Sequence, residues 1–272
     1  MGGANGELRL MYVLPHPDDE TLGAGGALAR YAAEGVGTYL VTATRGERGW
    51  WGPQAENPGL EAVGALREAE LRCAAQALGL REVVFLDVVD GEVDQADPGP
   101  LIAAIAGHIG RVRPQVVVTF GPDGVYGHPD HIALSQLTTA AVVAAADAGF
   151  AAEGGGPPHC VDKLYYMVET AELMAAYEAL VGEISMTVDG RTRRAVGWGE
   201  WMVTTRIDAS EHIEAVWRAM ACHRSQHAGM GGLLALPEAE RRRLVAARTY
   251  YRAFSFVNGG RGVESDLFEG LR

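Results

Sequence analysis

Cysteine is scarce in this chain. Cys73, Cys160 and Cys222 are the only three in 272 residues; they lie far apart, and none belongs to a CxxC pair. An odd, scattered set implies no disulfide framework and argues against a thiolate zinc site. Basic residues are outnumbered, 23 Lys and Arg against 35 Asp and Glu, for a formal net charge of −12. Phosphate recognition needs clustered Lys and Arg, so no nucleic-acid partner is expected. The one dense basic run, Arg241-Arg242-Arg243, falls on a helical segment and reads as a solvated face. Long apolar runs are also missing, and nothing approaches the length of a membrane span. Met1 to Gly6 lack a basic region leading into an apolar one, and position 6 is not the Ser or Thr that N-myristoylation wants. These absences make a cytoplasmic protein the expectation.

What remains is the composition of an ordinary globular chain, 48% hydrophobic and 21% charged. Its length suits one large α/β domain, or one domain with a small appendage. Leu8 to Leu14 is an apolar run interrupted only by Arg9, long enough for a central strand. Thr21 to Ala33 carries apolar and small residues at helical spacing and stops at Gly35; Val36 to Thr44 then reads as a second strand. Strand, helix, strand in that order favours a parallel sheet with right-handed crossovers. The pattern repeats: helices over Glu61 to Leu78, Pro100 to Val112 and Ile132 to Ala146 alternate with strands over Glu82 to Asp87 and Gln115 to Phe120. Gly154-Gly155-Gly156-Pro157-Pro158 marks a surface loop. Beyond it, Lys163 to Val168 and Met202 to Ile207 read as strands, Glu211 to Cys222 and Pro237 to Ala247 as helices. The expected fold is α/β, a Rossmann-like open, mostly parallel sheet with helices on both faces. A single domain over 1–272 has its core at 7–150 and a C-terminal elaboration at 160–272. Ligands of such sheets bind beyond the carboxyl ends of the strands.

Two motifs sit at such ends. Pro15-His16-Pro17-Asp18-Asp19-Glu20 follows the first strand, and Gly127-His128-Pro129-Asp130-His131 follows the strand ending at Phe120. A hydrolytic zinc site needs three protein ligands and an open position for water. His16 and Asp19 supply two from one turn, and His131 the third. Asp18, beside a ligand but pointing elsewhere, is placed to take the proton of the water. His128 is left to stabilise an oxyanion or protonate the leaving amine, Asp130 to fix its tautomer, and Tyr126 to donate to the oxyanion. Each residue alone has a plainer reading: Asp18 or Asp19 as a cap of the following helix, His131 as a helix N-terminal histidine. Two such clusters after two buried strands favour the metal site.

The two histidine motifs resemble the signature motifs of the PIG-L (LmbE-like) N-deacetylases. The similarity extends through Thr44-Arg45-Gly46-Glu47-Arg48-Gly49, Leu66-Arg67-Glu68-Ala69-Glu70 and Leu86-Asp87 to Asp266-Leu267-Phe268. It implies a zinc-dependent enzyme that removes acetyl from an N-acetylglucosamine-type sugar. In that reading His16, Asp19 and His131 are ligands and Asp18 the base. His128, Asp130 and a mobile Tyr126 assist, and Arg67, Asp90 and Glu47 contact substrate, with Asp87 and Asp94 competing for the place of Asp90. Iron(II) is an alternative metal at the same ligands.

Rival readings are an amidase of thiol-cofactor conjugates, which the core motifs also allow, and a non-haem iron(II) oxygenase, since two histidines and a carboxylate form its facial triad. A non-catalytic sugar-binding relative would need a motif position lost, and all are intact. Gly23-Ala24-Gly25-Gly26-Ala27-Leu28 is not a dinucleotide fingerprint, because Leu28 stands where the third glycine belongs. Trp50 and Trp51 are balanced between sugar stacking and covering a helix, and Trp198 and Trp201 are equally ambiguous. His223-Arg224-Ser225-Gln226-His227 reads as a cation cluster ending a helix, and His108 and His159 as structural or exposed. The acyl group, the aglycone and the oligomeric state, a homo-oligomer included, stay open.

Overall fold

Leu10 to Leu14 are all buried, as only a strand covered on both faces can be. The computed structural model describes residues 6–150 and 156–272. The opening stretch from Met1, read above as carrying no targeting signal, thus falls largely outside the described residues, as do Gly154 and Gly155; Gly156, Pro157 and Pro158 are exposed or nearly so, as expected of a surface loop. The central strand is β1 (Arg9–Leu14). It is flanked by β2 (Gly37–Thr42), β3 (Glu82–Phe85), β4 (Val116–Phe120) and β5 (Lys163–Met167), all paired in parallel. The sheet continues antiparallel through β9 (Ala247–Ser255) and β8 (Thr205–Asp208), giving seven strands in the order β3-β2-β1-β4-β5-β9-β8. The mostly parallel expectation holds, with an antiparallel edge.

Along β1 the side chains alternate between two cores. Leu10, Tyr12 and Leu14 pack with Leu28, Leu71 and Leu78, whereas Met11 and Val13 pack with Ile105, Ile109 and Leu134. Helices α2 (Gly25–Ala33), α3 (Leu60–Leu78) and α8 (Ile213–Cys222) cover the first face, α4 (Pro98–Val112) and α6 (Pro129–Ala146) the second. The glycines before Leu28 serve packing, for a Cβ on Gly26 would stand 2.7 Å from Ala209 Cβ. The helix expected over Thr21 to Ala33 is two, because α1 (Asp19–Leu22) ends at Gly23 before α2 starts. The strand expected from Met202 begins only at Thr205, after a 3-10 turn at Glu200–Met202. The helix expected to Ala247 stops at Val245 as α10 (Glu238–Val245), and the sheet takes up the chain at once as β9.

Besides β9, four further elements were not anticipated: α7 (Ala171–Val181), the hairpin of β6 (Ser185–Val188) with β7 (Arg191–Arg194), and α9 (His227–Leu234). The short turn between β4 and α6 is α5 (Gly124–Gly127). Contrary to the expectation from cysteine spacing, Cys73 on α3 and Cys222 on α8 form a disulfide, with Cα atoms 5.8 Å apart, and Cys160 stays free. Helix packing brings together two residues 149 positions apart, which spacing alone does not reveal. No helix among the described residues is long and apolar enough to cross a membrane.

At the antiparallel edge one buried carboxylate ties together three strands, β5, β8 and β9. Glu264 accepts from Lys163 Nζ, Tyr165 Oη and Thr205 Oγ1 at 2.7 Å each, and pairs with Arg252 Nη1 at 2.8 Å. Burial works against its charge, but these donors outweigh it and hold the carboxyl down at about 2.

Candidate active site

The strand order reverses direction of growth between β1 and β4, and both histidine motifs stand at that switch point, beyond the carboxyl ends of the two strands. Asp19 is the hub. Its Oδ2 accepts the His16 backbone N–H at 2.9 Å and lies 3.6 Å from His16 Nδ1, while Oδ1 lies 3.9 Å from His131 Nε2. Around a tetrahedral zinc with bonds of about 2.0–2.1 Å, neighbouring ligand atoms stand about 3.3 Å apart. The separations of Asp19 from His16 Nδ1 and from His131 Nε2 both lie near that spacing.

Charge balance points the same way. Four carboxylates, Asp18, Asp19, Asp90 and Asp130, are buried or nearly so around His16, and Arg67 is the guanidinium that contacts one of them. Buried carboxylates need compensating cations. Burial disfavours the charged form of His16, but Asp130, Asp19 and Asp90 outweigh it and raise its pKa. His131 goes the other way: burial above all, with the His16 and His128 charges, pulls it down to about 3, so it offers a neutral lone pair. A divalent cation is what this donor set accommodates. His128 also comes close, since ligand atoms of His16, His128 and His131 lie within 4.8 Å of one another.

Asp130 departs from its expected part. Its carboxylate accepts from the backbone N–H groups of Gly91 (2.7 Å) and Val93 (3.2 Å) and meets His16 Nε2 at 3.2 Å. It therefore orients His16, not His128. His128 is fixed by the Asp130 main chain, whose N–H donates to Nδ1 at 3.2 Å and leaves Nε2 to carry the proton. Burial, then the charge of His16, lowers the His128 pKa. Asp90 shares the first task, 3.2 Å from His16 Nε2, and its Oδ2 accepts the Arg48 N–H. Burial opposes its charge, yet the His16 bond prevails and holds Asp90 at about 2.

Asp18 sits at φ 109°, a left-handed value rarely adopted by residues other than glycine. The surroundings hold it there: its N–H donates to Glu20 Oε2 at 2.9 Å, and Arg67 Nη2 contacts Oδ2 at 3.1 Å. Burial raises its carboxyl to about 7, with Arg67 pulling the other way. Such strain persists only where the surroundings over-determine it, as these contacts do. Val125, at φ 67°, carries similar strain one residue before Tyr126, whose ring meets His128 and His131 at 5.8 Å each. Arg193 on β7 braces that loop, its Nη1 donating to the Gly127 carbonyl at 2.7 Å.

The residues assigned to substrate are otherwise occupied. Arg67 is buried and directs Nη1 to the Gly46 carbonyl and Nη2 to the Pro17 carbonyl and Asp18. Asp90 is held as described, and Glu47 accepts the Arg45 N–H at 3.1 Å. None of the three lines the cavity of about 340 Å³ that opens at Asp18, Asp19, Tyr126 and His131. Trp51 covers the start of α9, donating to Gln226 Oε1 at 2.9 Å, and Trp50 donates to the Pro53 carbonyl.

Sequence reasoning missed the pair beneath the site. His223, at the C-cap of α8, is fully buried and meets Glu20 Oε1 at 2.6 Å, the same carboxylate that holds the Asp18 backbone. Ser225 donates twice to Glu70, tying that segment to α3. Glu20 ends the first motif, but nothing in the chain signals a partner 203 residues away.

The family model described as PIG-L, GlcNAc-PI de-N-acetylase, matches residues 11–142, from β1 into α6. A 1D-myo-inositol 2-acetamido-2-deoxy-alpha-D-glucopyranoside deacetylase from Actinosynnema mirum is 34% identical over 97% of each chain. Among solved structures, a conserved protein from Thermus thermophilus is similar with TM-score 0.64 and 28% identity, covering 93% of this chain and 97% of that one. The 4-carboxy-2-hydroxymuconate hydratase GalB from Pseudomonas putida is similar with TM-score 0.67 at 22% identity, over 93% and 99% of the two chains. GalB shares the fold; the sequence relative shares the length of the chain at an identity that fixes kinship. With both histidine motifs folded into one cage at the switch point, the chain belongs to the PIG-L (LmbE-like) family of deacetylases.

Proposed function

We propose that this protein hydrolyses the N-acetyl group of an N-acetylglucosamine-type sugar or glycoside, releasing acetate and a free amine, with zinc as its metal and the whole chain as one domain. The observation that carries this reading is the meeting of His16, Asp19 and His131 with Asp18 at the mouth of the cavity. The names of the sequence relatives, deacetylases of a 2-acetamido-2-deoxy-glucopyranoside, supply the sugar. A zinc ion held by His16, Asp19 and His131 would polarise the acetamide carbonyl and lower the pKa of water; iron(II) is the alternative at the same ligands.

The chain's own groups do the rest. Asp18, raised toward neutrality by burial, accepts the proton of the attacking water at its carboxylate. Breaking the C–N bond then requires that a proton reach the leaving nitrogen, and His128 and Asp18 are the groups placed to deliver it. The neutral His128, protonated on Nε2, and the Tyr126 phenol are donors for the carbonyl oxygen as it gains charge. A cytoplasmic location belongs to the same proposal. The test is free-amine release from a panel of N-acetylglucosaminides by chelated and zinc-reconstituted protein side by side. Zinc-dependent release is expected. Absence of release from every member, with metal bound at full stoichiometry, would sink the reading in favour of amide conjugates or oxygenase chemistry.

A further inference from the structure

The cavity at the catalytic cage is far more apolar than a sugar needs. Beyond Asp18, Asp19, Tyr126 and His131 its wall is built from Leu22, Phe120, Val125, Ile184, Leu233 and Val245, with four methionines from β5, α7, α8 and α9: Met167, Met174, Met220 and Met230. Methionine is unbranched and adaptable, suited to a flexible apolar guest. Two polar groups remain on that wall. Tyr177 Oη already donates to the Leu244 carbonyl at 3.1 Å; Glu169 faces the buried Arg248 guanidinium at 3.8 Å and keeps Oε2 without a hydrogen-bond partner among the described residues, a single acceptor for a guest. A pyranose buried there would leave most of its hydroxyls unpaired, each costing roughly tenfold in affinity. The polar side of the cage lies elsewhere: Arg48 and Asp90 stand in the loops after β2 and β3, Arg67 reaches Asp18 from α3, and Asp130 meets His16 from the first turn of α6.

We propose, on the footing of the N-deacetylase reading, that the cavity is an acyl subsite and that the enzyme also hydrolyses N-acyl amino sugars whose acyl group is an unbranched chain of several carbons. The two substituents of an amide carbonyl diverge. With the sugar on the nitrogen side toward the polar loops, the acyl carbon chain points into the apolar wall. An acetyl methyl fills little of about 340 Å³, given that one water-sized group takes about 30 Å³. The chemistry is unchanged: water adds to the carbonyl carbon, the C–N bond breaks, the amine takes a proton and the chain leaves as a carboxylate.

The experiment uses zinc-loaded full-length protein with methyl glucosaminides bearing N-acetyl, N-butyryl, N-hexanoyl and N-octanoyl groups, and with octyl N-acetylglucosaminide as the contrast. Expected is a rise in kcat/KM of about fourfold per added methylene through hexanoyl, the usual worth of burying one, with little gain from the octyl aglycone. Ile184→Trp, at a half-buried position on the wall, should cut the ratio of octanoyl to acetyl turnover by about tenfold, the measure of several lost methylenes. The unsubstituted protein's own series decides the matter even if that variant misfolds. Rates that are flat or fall with acyl length, while acetyl is released, overturn the subsite and leave the deacetylase standing. A rise with aglycone length instead assigns the cavity to the aglycone and also overturns it. No release even from the acetyl member removes the deacetylase reading and the subsite with it.

Discussion

The two halves of the chain meet at one cavity and bring unlike things to it. Residues up to His131 contribute the ionisable groups Asp18, Asp19, Tyr126 and His131; those from Met167 on contribute mainly methionines and aliphatics, with Glu169 as the charged exception. The first set stands on the segments that leave the parallel strands, Asp18 and Asp19 where β1 passes into α1, and Tyr126 and His131 on α5 and the first turn of α6 after β4. The second is collected from α7, α8, α9, the β6–β7 region and the end of α10, elements held together by packing and by the antiparallel edge. On the proposed reading, reaction and specificity are under separate structural control. A hydratase shares the fold at 22% identity, so the sheet by itself does not choose a reaction.

The sharpest way to break this division is Asp18→Ala. It should lower kcat by about 10²–10⁴-fold, the worth of a positioned base, while metal analysis finds zinc at full stoichiometry. Loss of metal together with activity would show that Asp18 is a ligand as well. In the other half, Glu264→Gln leaves Lys163 and Arg252 buried without their carboxylate and should cost about 3–5 kcal/mol, read as a large drop in Tm. The pH dependence has a definite sign. A carboxyl held at about 2 in the folded protein, against an ordinary 4.5, adds stability that is full above pH 4.5 and is lost as pH falls toward 2. Acid titration of unfolding should therefore be steeper in this window for the unsubstituted protein than for the variant, and equal slopes would remove the network from the account.

Smaller effects separate ligand from support. Asp130→Asn keeps the ring of His16 in place through Asp90 but weakens its orientation, so zinc affinity should fall about 10–100-fold, measured by competition with a chelator. An unchanged affinity with a collapsed kcat would return Asp130 to the part expected from sequence, that of fixing His128. Smallest is Trp51→Ala, which removes a cover from α9 and a bond to Gln226. A change in kcat/KM of about threefold or less is expected; a tenfold loss with unchanged Tm is the signature of ring stacking on substrate.

Much of the first half was legible because its signals are local. The apolar run of β1 and the helices over α3, α4 and α6 differ from expectation by a few residues at their ends. The break at Gly23 and the direction of Asp130 were not legible, since both depend on which neighbours fill the space. In the second half even a plain signal was passed over: Asp189-Gly190, with φ of 51° and 72°, is the turn of the β6–β7 hairpin. Strand β9 was hidden behind a charged helix and pairs with strands on both sides only after a long excursion.

By itself the sequence determined the reaction class and the parallel core, because His16, Asp18 and Asp19 lie on the short connection from β1 to α1 and His131 in the first turn of the helix that follows β4. Tertiary structure decided everything that needs two distant segments to touch: the Cys73–Cys222 disulfide, the Glu20–His223 pair under Asp18, the assignment of Asp130 to His16, and the apolar wall. The physical reason is range. Backbone hydrogen bonding and hydrophobic period are written over a few residues, whereas buried charge pairs and cavity walls are set by whatever the packed helices bring within about 4 Å.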